Sequence, residues 1–278
     1  MSLRFTKMAG CGNDFVLLEP GTRVEEGMRS ALAAAICRPG TGVGADGLVI
    51  FHDEPPARAE YGVTIVNRSG LPAEMCGNAA RCIARFAVER GLAANSHLFL
   101  TAAGPVRSTV EGSEVRIELP DPSPMTLDAI ACADGGDWRL DVVDVGVPHA
   151  VLWWPDVEEA PVERLGRALR HAAAFAHGAN VNFVERIGEH LRVRTFERGV
   201  EAETLACGTG AVASAISAAL RGMPGRRFEI RTTHGGMLAV TFDLAGIQAS
   251  HVTLQGPTTL VFEGALSDEW LAEAGIAL

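Results

Sequence analysis

The sequence predicts an α+β protein of two pseudo-symmetric domains from an internal duplication, each a curved, mostly antiparallel sheet wrapped around a central helix. Three observations carry this. Two Cys-Gly dipeptides, Cys76-Gly77 and Cys207-Gly208, each open a run of small residues that ends in Arg-Gly fifteen positions on, at Gly91 and Gly222. The two runs lie 131 positions apart, and Thr101 and Gly104 return as Thr232 and Gly235 at that same spacing. Upstream, GADGLVI at 44–50 meets GANVNFV at 178–184, and GNDFV at 12–16 meets GVPHA at 146–150, both at a spacing of 134. Four matches in one order, with a single three-residue slip, define a repeat of about 130 residues, an ordinary domain size.

The elements follow in chain order. A helical pattern at 26–37 leads into a glycine-rich loop and the strand-like run Leu48-Val49-Ile50-Phe51. Alternating or β-rich runs at 63–66, 98–101 and 115–119 read as strands, with a helix at 78–90 between the first two. The turn Pro120-Asp121-Pro122-Ser123-Pro124 marks the boundary, giving halves at 1–120 and 121–262, with 263–278 expected to rejoin the first. The second half continues with helices at 163–173 and 209–221 and strands at 192–196, 228–232, 237–242 and 251–254. Residues 211–220 are apolar nearly all round, which predicts a buried helix. Residues 79–88 read alike except for Arg81 and Arg85. A helix of small residues suits a place where sheet closes in on several sides.

The chain of 278 residues is 47% hydrophobic and 21% charged, enough for a globular core. A net charge of −10 argues against nucleic acid or an anionic membrane as partner. The first eighteen residues are broken by charges and glycines, so they do not read as a secretory segment. No run of eighteen apolar residues reads as a membrane span. Six sparse cysteines without an export signal are expected to be reduced, which points to the cytoplasm.

A cysteine in an apolar run is ordinarily packing. Cys76 and Cys207 differ, because each directly precedes a predicted helix, each is followed by glycine, and the two match across the repeat. A helix N-terminus offers unpaired N–H groups and the positive end of the dipole, which lowers a thiol pKa and holds a carboxylate. Cys82 falls inside the first helix opposite Ala213 and reads as packing, and Cys11, Cys37 and Cys132 have no cysteine counterpart. No C-x-x-C or H-E-x-x-H spacing occurs, so neither zinc nor dithiol chemistry is expected. The run Gly42–Gly47 spells G-x-G-x-x-G but follows a helix and precedes a strand, the reverse of a dinucleotide site. Asn13, Asn67, Asn180, Glu197 and Arg198 stand in turns, and Arg198 suits bidentate pairing with a carboxylate. His149, next to Pro148, reads equally well as a structural histidine or a site residue. Trp153-Trp154 reads as core or subunit contact.

These segments together resemble the diaminopimelate epimerase family over nearly the whole chain. GNDFV (12–16), GVGADGL (42–48), EMCGNAARC (74–82), PHAV (148–151), GANVNFV (178–184), ERG (197–199) and ETLACGTGA (203–211) arrive in the family's order. The resemblance implies a cofactor-independent, metal-free epimerase interconverting LL- and meso-2,6-diaminopimelate in lysine and peptidoglycan synthesis. It also implies a homodimer. It assigns Cys76 and Cys207 as catalytic base and acid, with His149 and Glu197 tuning the thiols. Gly77, Asn78, Gly208 and Thr209 match the positions that hold the reacting carboxylate, while Asn13, Asn67, Asn180, Glu197 and Arg198 match substrate-binding positions, Arg198 on the distal carboxylate.

The chain departs from the family pattern at Val147, where many members have asparagine, and at Ser69-Gly70-Leu71-Pro72 in place of Asp-Gly-Ser-Glu. It departs again at Ala79 and Gly47, where glycine and glutamine are familiar. Three other functions fit parts of the pattern: a racemase of histidine or proline-like substrates on the same scaffold, a non-catalytic binding protein, and a thiol redox protein.

Overall fold

The chain divides at Ile117/Glu118 and again at Gly256/Pro257 in the computed structural model, which describes residues 2–52 and 58–276. Met1 and the last two positions of the expected 263–278 segment lie outside the described residues. Unit 1 comprises Met1–Ile117 and Pro257–Leu278; unit 2 is Glu118–Gly256.

Unit 1 contains strands β1 (Leu3–Gly10), β2 (Asn13–Leu18), β3 (Gly47–Phe51), β4 (Tyr61–Asn67), β5 (Pro72–Ala73), β6 (Ser96–Thr101), β7 (Gly104–Glu111) and β8 (Glu114–Glu118). Helix α1 (Glu26–Ile36) precedes β3, and α2 (Gly77–Glu89) joins β5 to β6. β1 and β2 form a hairpin over Cys11-Gly12, both at positive φ. β2 pairs parallel with β3, β3 antiparallel with β4, β4 antiparallel with β5 and parallel with β6. β6, β7 and β8 complete an antiparallel meander.

Unit 2 repeats this scheme. Its strands are β9 (Thr126–Ala133), β10 (Gly136–Asp144), β11 (Pro148–Trp153), β12 (Asn180–Ile187), β13 (His190–Glu197), β14 (Ala202–Thr204), β15 (Arg227–Arg231), β16 (Met237–Ala245) and β17 (Gln248–Pro257). A short helix α3 (Arg167–Arg170) precedes β12, and α4 (Gly208–Leu220) joins β14 to β15. β11–β12 and β13–β15 are parallel, and β10–β11, β12–β13, β13–β14, β15–β16 and β16–β17 antiparallel. Strand by strand, β10 to β17 pair as β1 to β8 do. Strand β18 (Thr259–Leu266) pairs antiparallel with β1 along its length, the role β9 has toward β10. That pairing is why the return to unit 1 begins at Pro257, ahead of the expected 263.

Both central helices are buried: α4 carries almost no bulk, whereas α2 also buries Arg81 and Phe86. In α4 every residue from Gly210 to Ala218 is buried, and strands β10, β11, β12, β13, β15 and β16 pack against it. In α2 the buried face includes Ala79, Ala80, Cys82, Ile83, Ala84, Phe86 and Ala87, against β1, β2 and β7. The other face of each sheet carries a peripheral helix. Leu32 and Ile36 of α1 join Phe5, Val16 and Leu48 in one cluster; Leu165 and Leu169 join Ala150, Val181 and Phe183 in the other.

The recurring Arg-Gly stops both helices in the same way. Gly91 and Gly222 adopt positive φ, and the next amide, Leu92 or Met223, bonds back to Ala87 or Ala218, closing a Schellman motif. Each capping arginine grips a carboxylate with two nitrogens. Arg90 holds Glu19 at 2.8 and 2.9 Å, and Arg221 holds Asp141 at 2.7 and 2.8 Å.

Helix 163–173 is a correction. The helical segment begins as a π-turn, Val162–Gly166, and ends after Arg170. A Cβ on Gly166 would lie 2.6 Å from that of Phe196, so close approach to β13 sets the turn rather than helix propensity. Gly42 stands equally tight, its missing Cβ 2.4 Å from the Ala35 carbonyl. The glycine loop caps the C-terminus of α1 through Val43 and Gly44 N–H groups on Ile36 O and Ala45 on Cys37 O. The loop is thus a helix stop.

Asp141 is wholly buried. Burial pushes its carboxyl pKa up, but hydrogen bonds from Arg221, Ser217 and the Asp128 amide outweigh that and hold it below the ordinary 3.8. Asp141→Ala is expected to lower unfolding free energy by about 3 kcal/mol in urea titrations at pH 7. The Asp141 contribution is complete above pH 3.8 and disappears as pH falls through the depressed folded value. The loss caused by Asp141→Ala should therefore shrink in the most acidic titrations.

Candidate active site

In unit 1 Cys76 is the N-cap of α2, its backbone extended at φ −143° and its carbonyl accepting from the Ala80 amide. The thiol is half-buried. Gly77 and Asn78 form the first turn, where amides have no carbonyl partner within the helix. A chain of polar groups fixes that turn. The buried Arg81 donates to Gly77 O at 3.1 Å and to Asn78 Oδ1 at 2.7 Å. Asn78 Nδ2 donates to Asn13 Oδ1 at 2.7 Å, and Asn13 Nδ2 to Asp46 Oδ2 at 3.0 Å. Asp46 also accepts from the Asp14 amide, and Lys7 bridges Asp14 and Gly44 O. Two predicted asparagines are thereby joined to each other and to the cysteine-bearing helix end. Asn67 stands exposed at the end of β4, opposite Gly47, held by backbone bonds to Leu71 and Gly70.

Sequence reasoning left out Arg81 and Asp46. Arg81 had a signal, a charge inside a helix otherwise fit for burial. Asp46 had none beyond its place in the glycine loop. The remaining thiols of this unit are inert packing. Burial pushes Cys37 and Cys82 up to about 12. Burial likewise raises Cys11, opposed by the Arg81 guanidinium that hydrogen-bonds it.

In unit 2 Cys207 is the N-cap of α4, extended at φ −118°, with its carbonyl on the Ala211 amide and Thr209 Oγ1 3.5 Å from its sulfur. Gly208 and Thr209 open the helix as Gly77 and Asn78 do in unit 1. Behind this end lie His149 on β11 and Asn180 and Asn182 on β12. The His149 ring has no exposed surface; Asn180 Nδ2 is 3.4 Å from Nε2 and Asn182 Nδ2 3.1 Å from Nδ1. Burial pushes the imidazole down to about 3, and the positive charge of Arg198 acts in the same direction, so the ring is neutral at physiological pH.

Asn180 Oδ1 accepts from the Arg198 amide at 2.7 Å, joining two more predicted site residues. Glu197, expected in a turn, ends β13 opposite Ala202, and Arg198 follows it in a tight turn with Gly199 at φ +90° and Glu201 at φ +59°. Glu201 locks the turn: its carboxylate accepts from the Gly199 amide and Arg170 and meets His171, and its carbonyl accepts from Arg167. The described residues contain no cluster of three metal-ligating side chains. No helix among them is long and apolar enough to cross a membrane.

The duplicated α+β frame has counterparts among solved structures. A probable proline racemase from Agrobacterium radiobacter K84 matches with TM-score 0.74 at 17% identity, covering 99% of this chain and 96% of its own. A hydroxyproline epimerase from Agrobacterium vitis matches with TM-score 0.71 at 18% identity, covering 100% and 96%. These show that the fold is shared with both proteins. The family model for diaminopimelate epimerase matches residues 5–121 and 142–257. A diaminopimelate epimerase of Methanothrix thermoacetophila is 39% identical over 97% of this chain and 98% of its own length. One from Aquifex aeolicus is 38% identical over 97% and 99%. The chain belongs to the diaminopimelate epimerase family, and it is an isomerase.

A neutral buried histidine leaves a trace in stability. Between pH 6.5 and about 3 the unfolded chain binds a proton at His149 that the folded chain refuses. Folding stability should therefore fall as pH drops through that window and show no contribution from this residue above 6.5. His149→Gln is expected to make the urea-midpoint decline between pH 6.5 and 4 measurably shallower; an unchanged slope would contradict the burial argument.

Proposed function

We propose that the protein interconverts LL- and meso-2,6-diaminopimelate by two-base proton transfer between Cys76 and Cys207. One cysteine, as thiolate, removes the α-hydrogen; the other, as thiol, delivers its proton to the opposite face of the same carbon. After turnover the first sulfur holds the proton and the second carries the charge, so the reverse direction starts from exchanged roles. The observation that carries this reading is the matched pair of cysteine N-caps on two equivalent, glycine-opened helices.

The helix ends suit the α-carboxylate of the substrate. Gly77, Asn78, Gly208 and Thr209 lie where first-turn amides present N–H groups and the positive end of the dipole. Charge developing on the carboxylate as the α-proton leaves meets donors already in place, which is how such sites lower a barrier. His149 and Glu197 tune the thiols. Arg198, on its braced turn, pairs with the distal carboxylate, and Asn13, Asn67 and Asn180 complete the binding groups. The two thiols supply both acid and base, so the scheme calls for neither cofactor nor metal. The reaction feeds lysine and peptidoglycan synthesis in the cytoplasm, carried out by a homodimer.

The second carboxylate site separates this substrate from a proline-like one. Turnover is expected with LL-diaminopimelate, with deuterium entering the α-position in heavy water, and not with proline or other monocarboxylic amino acids. Cys76→Ala and Cys207→Ala should each cut epimerisation by at least about 10³-fold. Full turnover by either variant would end the two-base reading; preference for a monocarboxylic substrate would end the assignment of Arg198.

A further inference from the structure

The strand register around His149 contains a residue to which neither the motifs nor the resemblance assigns a role. β11 and β12 run parallel with His149 opposite Asn180, which places Asn182 two residues along, beside Val151. On the other side Asn182 faces Thr195 of β13 directly. Asn182 is wholly buried and Thr195 nearly so. Asn182 Nδ2 donates to Ala150 O at 3.0 Å and meets His149 Nδ1 at 3.1 Å, while Asn182 Oδ1 accepts from Thr195 Oγ1 at 3.0 Å. A Cβ on Gly210 would lie 2.3 Å from Asn182 Oδ1 and 3.2 Å from Cys207 Cβ, so this amide lies directly beneath the first turn of α4.

The orientation of the amide follows from its neighbours. A backbone carbonyl only accepts, so the NH₂ end must face Ala150. That end then faces His149 as a donor, and Nδ1 must offer a lone pair. A neutral imidazole has one N–H, so it lies on Nε2. Asn180 Oδ1 is occupied by the Arg198 amide, so Asn180 turns its own NH₂ toward Nε2 and cannot accept from it. The Nε2 proton is left for an acceptor outside this network.

We propose that Asn182 is a positioning residue that holds His149 as the neutral tautomer with its proton on Nε2, presenting a fixed N–H donor on the Asn180 side. This rests on the proposed part of His149 in the reaction. A neutral N–H donor stabilises an anion brought within its reach without giving up a proton. Thr195 and Gly210 serve the same end: one pins the amide and the other makes room for it.

The test is long-range ¹H–¹⁵N correlation NMR of the histidine-labelled protein, paired with steady-state kinetics. The wild type should show an unprotonated Nδ1 and a protonated Nε2. Asn182→Asp places an acceptor opposite Nδ1, and should move the proton to Nδ1 or protonate the ring. With it, kcat for diaminopimelate should fall about 10-fold or more while KM changes little. Thr195→Val should weaken the same signature without abolishing it. A wild-type spectrum with the proton on Nδ1 overturns the proposal even where Asn182→Asp fails to fold. An altered tautomer with unchanged kcat overturns it as well. Full activity of the cysteine variants would instead sink the two-base scheme, which the spectrum does not depend on.

Discussion

A helix surrounded by sheet must satisfy both of its ends without help from water, and in each unit that requirement shapes the whole design. At the C-terminal end the answer is a Schellman glycine and an arginine that grips a carboxylate, the buried Asp141 on β10 or the half-buried Glu19 just past β2. At the N-terminal end the residue is a cysteine whose side chain makes no cap hydrogen bond to its own helix. Serine or aspartate there would bond the first-turn amides and gain about 1 kcal/mol. A cysteine forgoes that gain, so stability is concentrated at the end away from the thiol.

The two copies share this plan but back their cysteines differently. Unit 1 places a permanent cation, Arg81, inside the helix; the residue 131 positions later is Val212. Unit 2 places a neutral imidazole on a strand, and the position matching His149 in the first copy is Phe15. Arg81 ties together Gly77, Asn78 and, through Asn13, the acidic pair Asp14 and Asp46. The equivalent task in unit 2 falls to Asn180 and Asn182, both amides. One duplicated backbone therefore supports two electrostatically distinct surroundings.

Much of this was legible in the sequence, for identifiable reasons. The central helices announced themselves through small residues flanked by Cys-Gly and Arg-Gly, because capping is local chemistry. Strands β4, β6, β13, β15 and β16 were visible through alternation and β-branching. Helix 163–173 was not, since Gly166 is governed by Phe196, 30 residues away. The polar chains were hidden for the same reason. Arg81 could be flagged as odd but not partnered, and Asp46 meets Asn13 only because β2 and β3 pair in parallel. Asn182 carries no sequence signal of its own beside Asn180; only the register with β11 and β13 gives it the imidazole on one side and a hydroxyl on the other.

The departures from the family pattern can be weighed against what each position bears. Ala79 is buried in α2 and belongs to packing. Gly47 is closed in by Val66 O at 3.1 Å and the Phe15 ring at 3.3 Å, so this backbone accepts no larger residue without moving β4 or Phe15. The segment Ser69-Gly70-Leu71-Pro72 still makes a turn that fixes Asn67 through main-chain bonds alone, with Gly70 at φ +84° against Ser30 O. None of these changes reaches the polar chains that lead to Cys76 or Cys207. The changes fall where backbone geometry does the positioning. The side chains named for the site keep their anchors: Arg81 on Gly77 and Asn78, the neutral His149 between Asn180 and Asn182, and the Arg198 amide on Asn180.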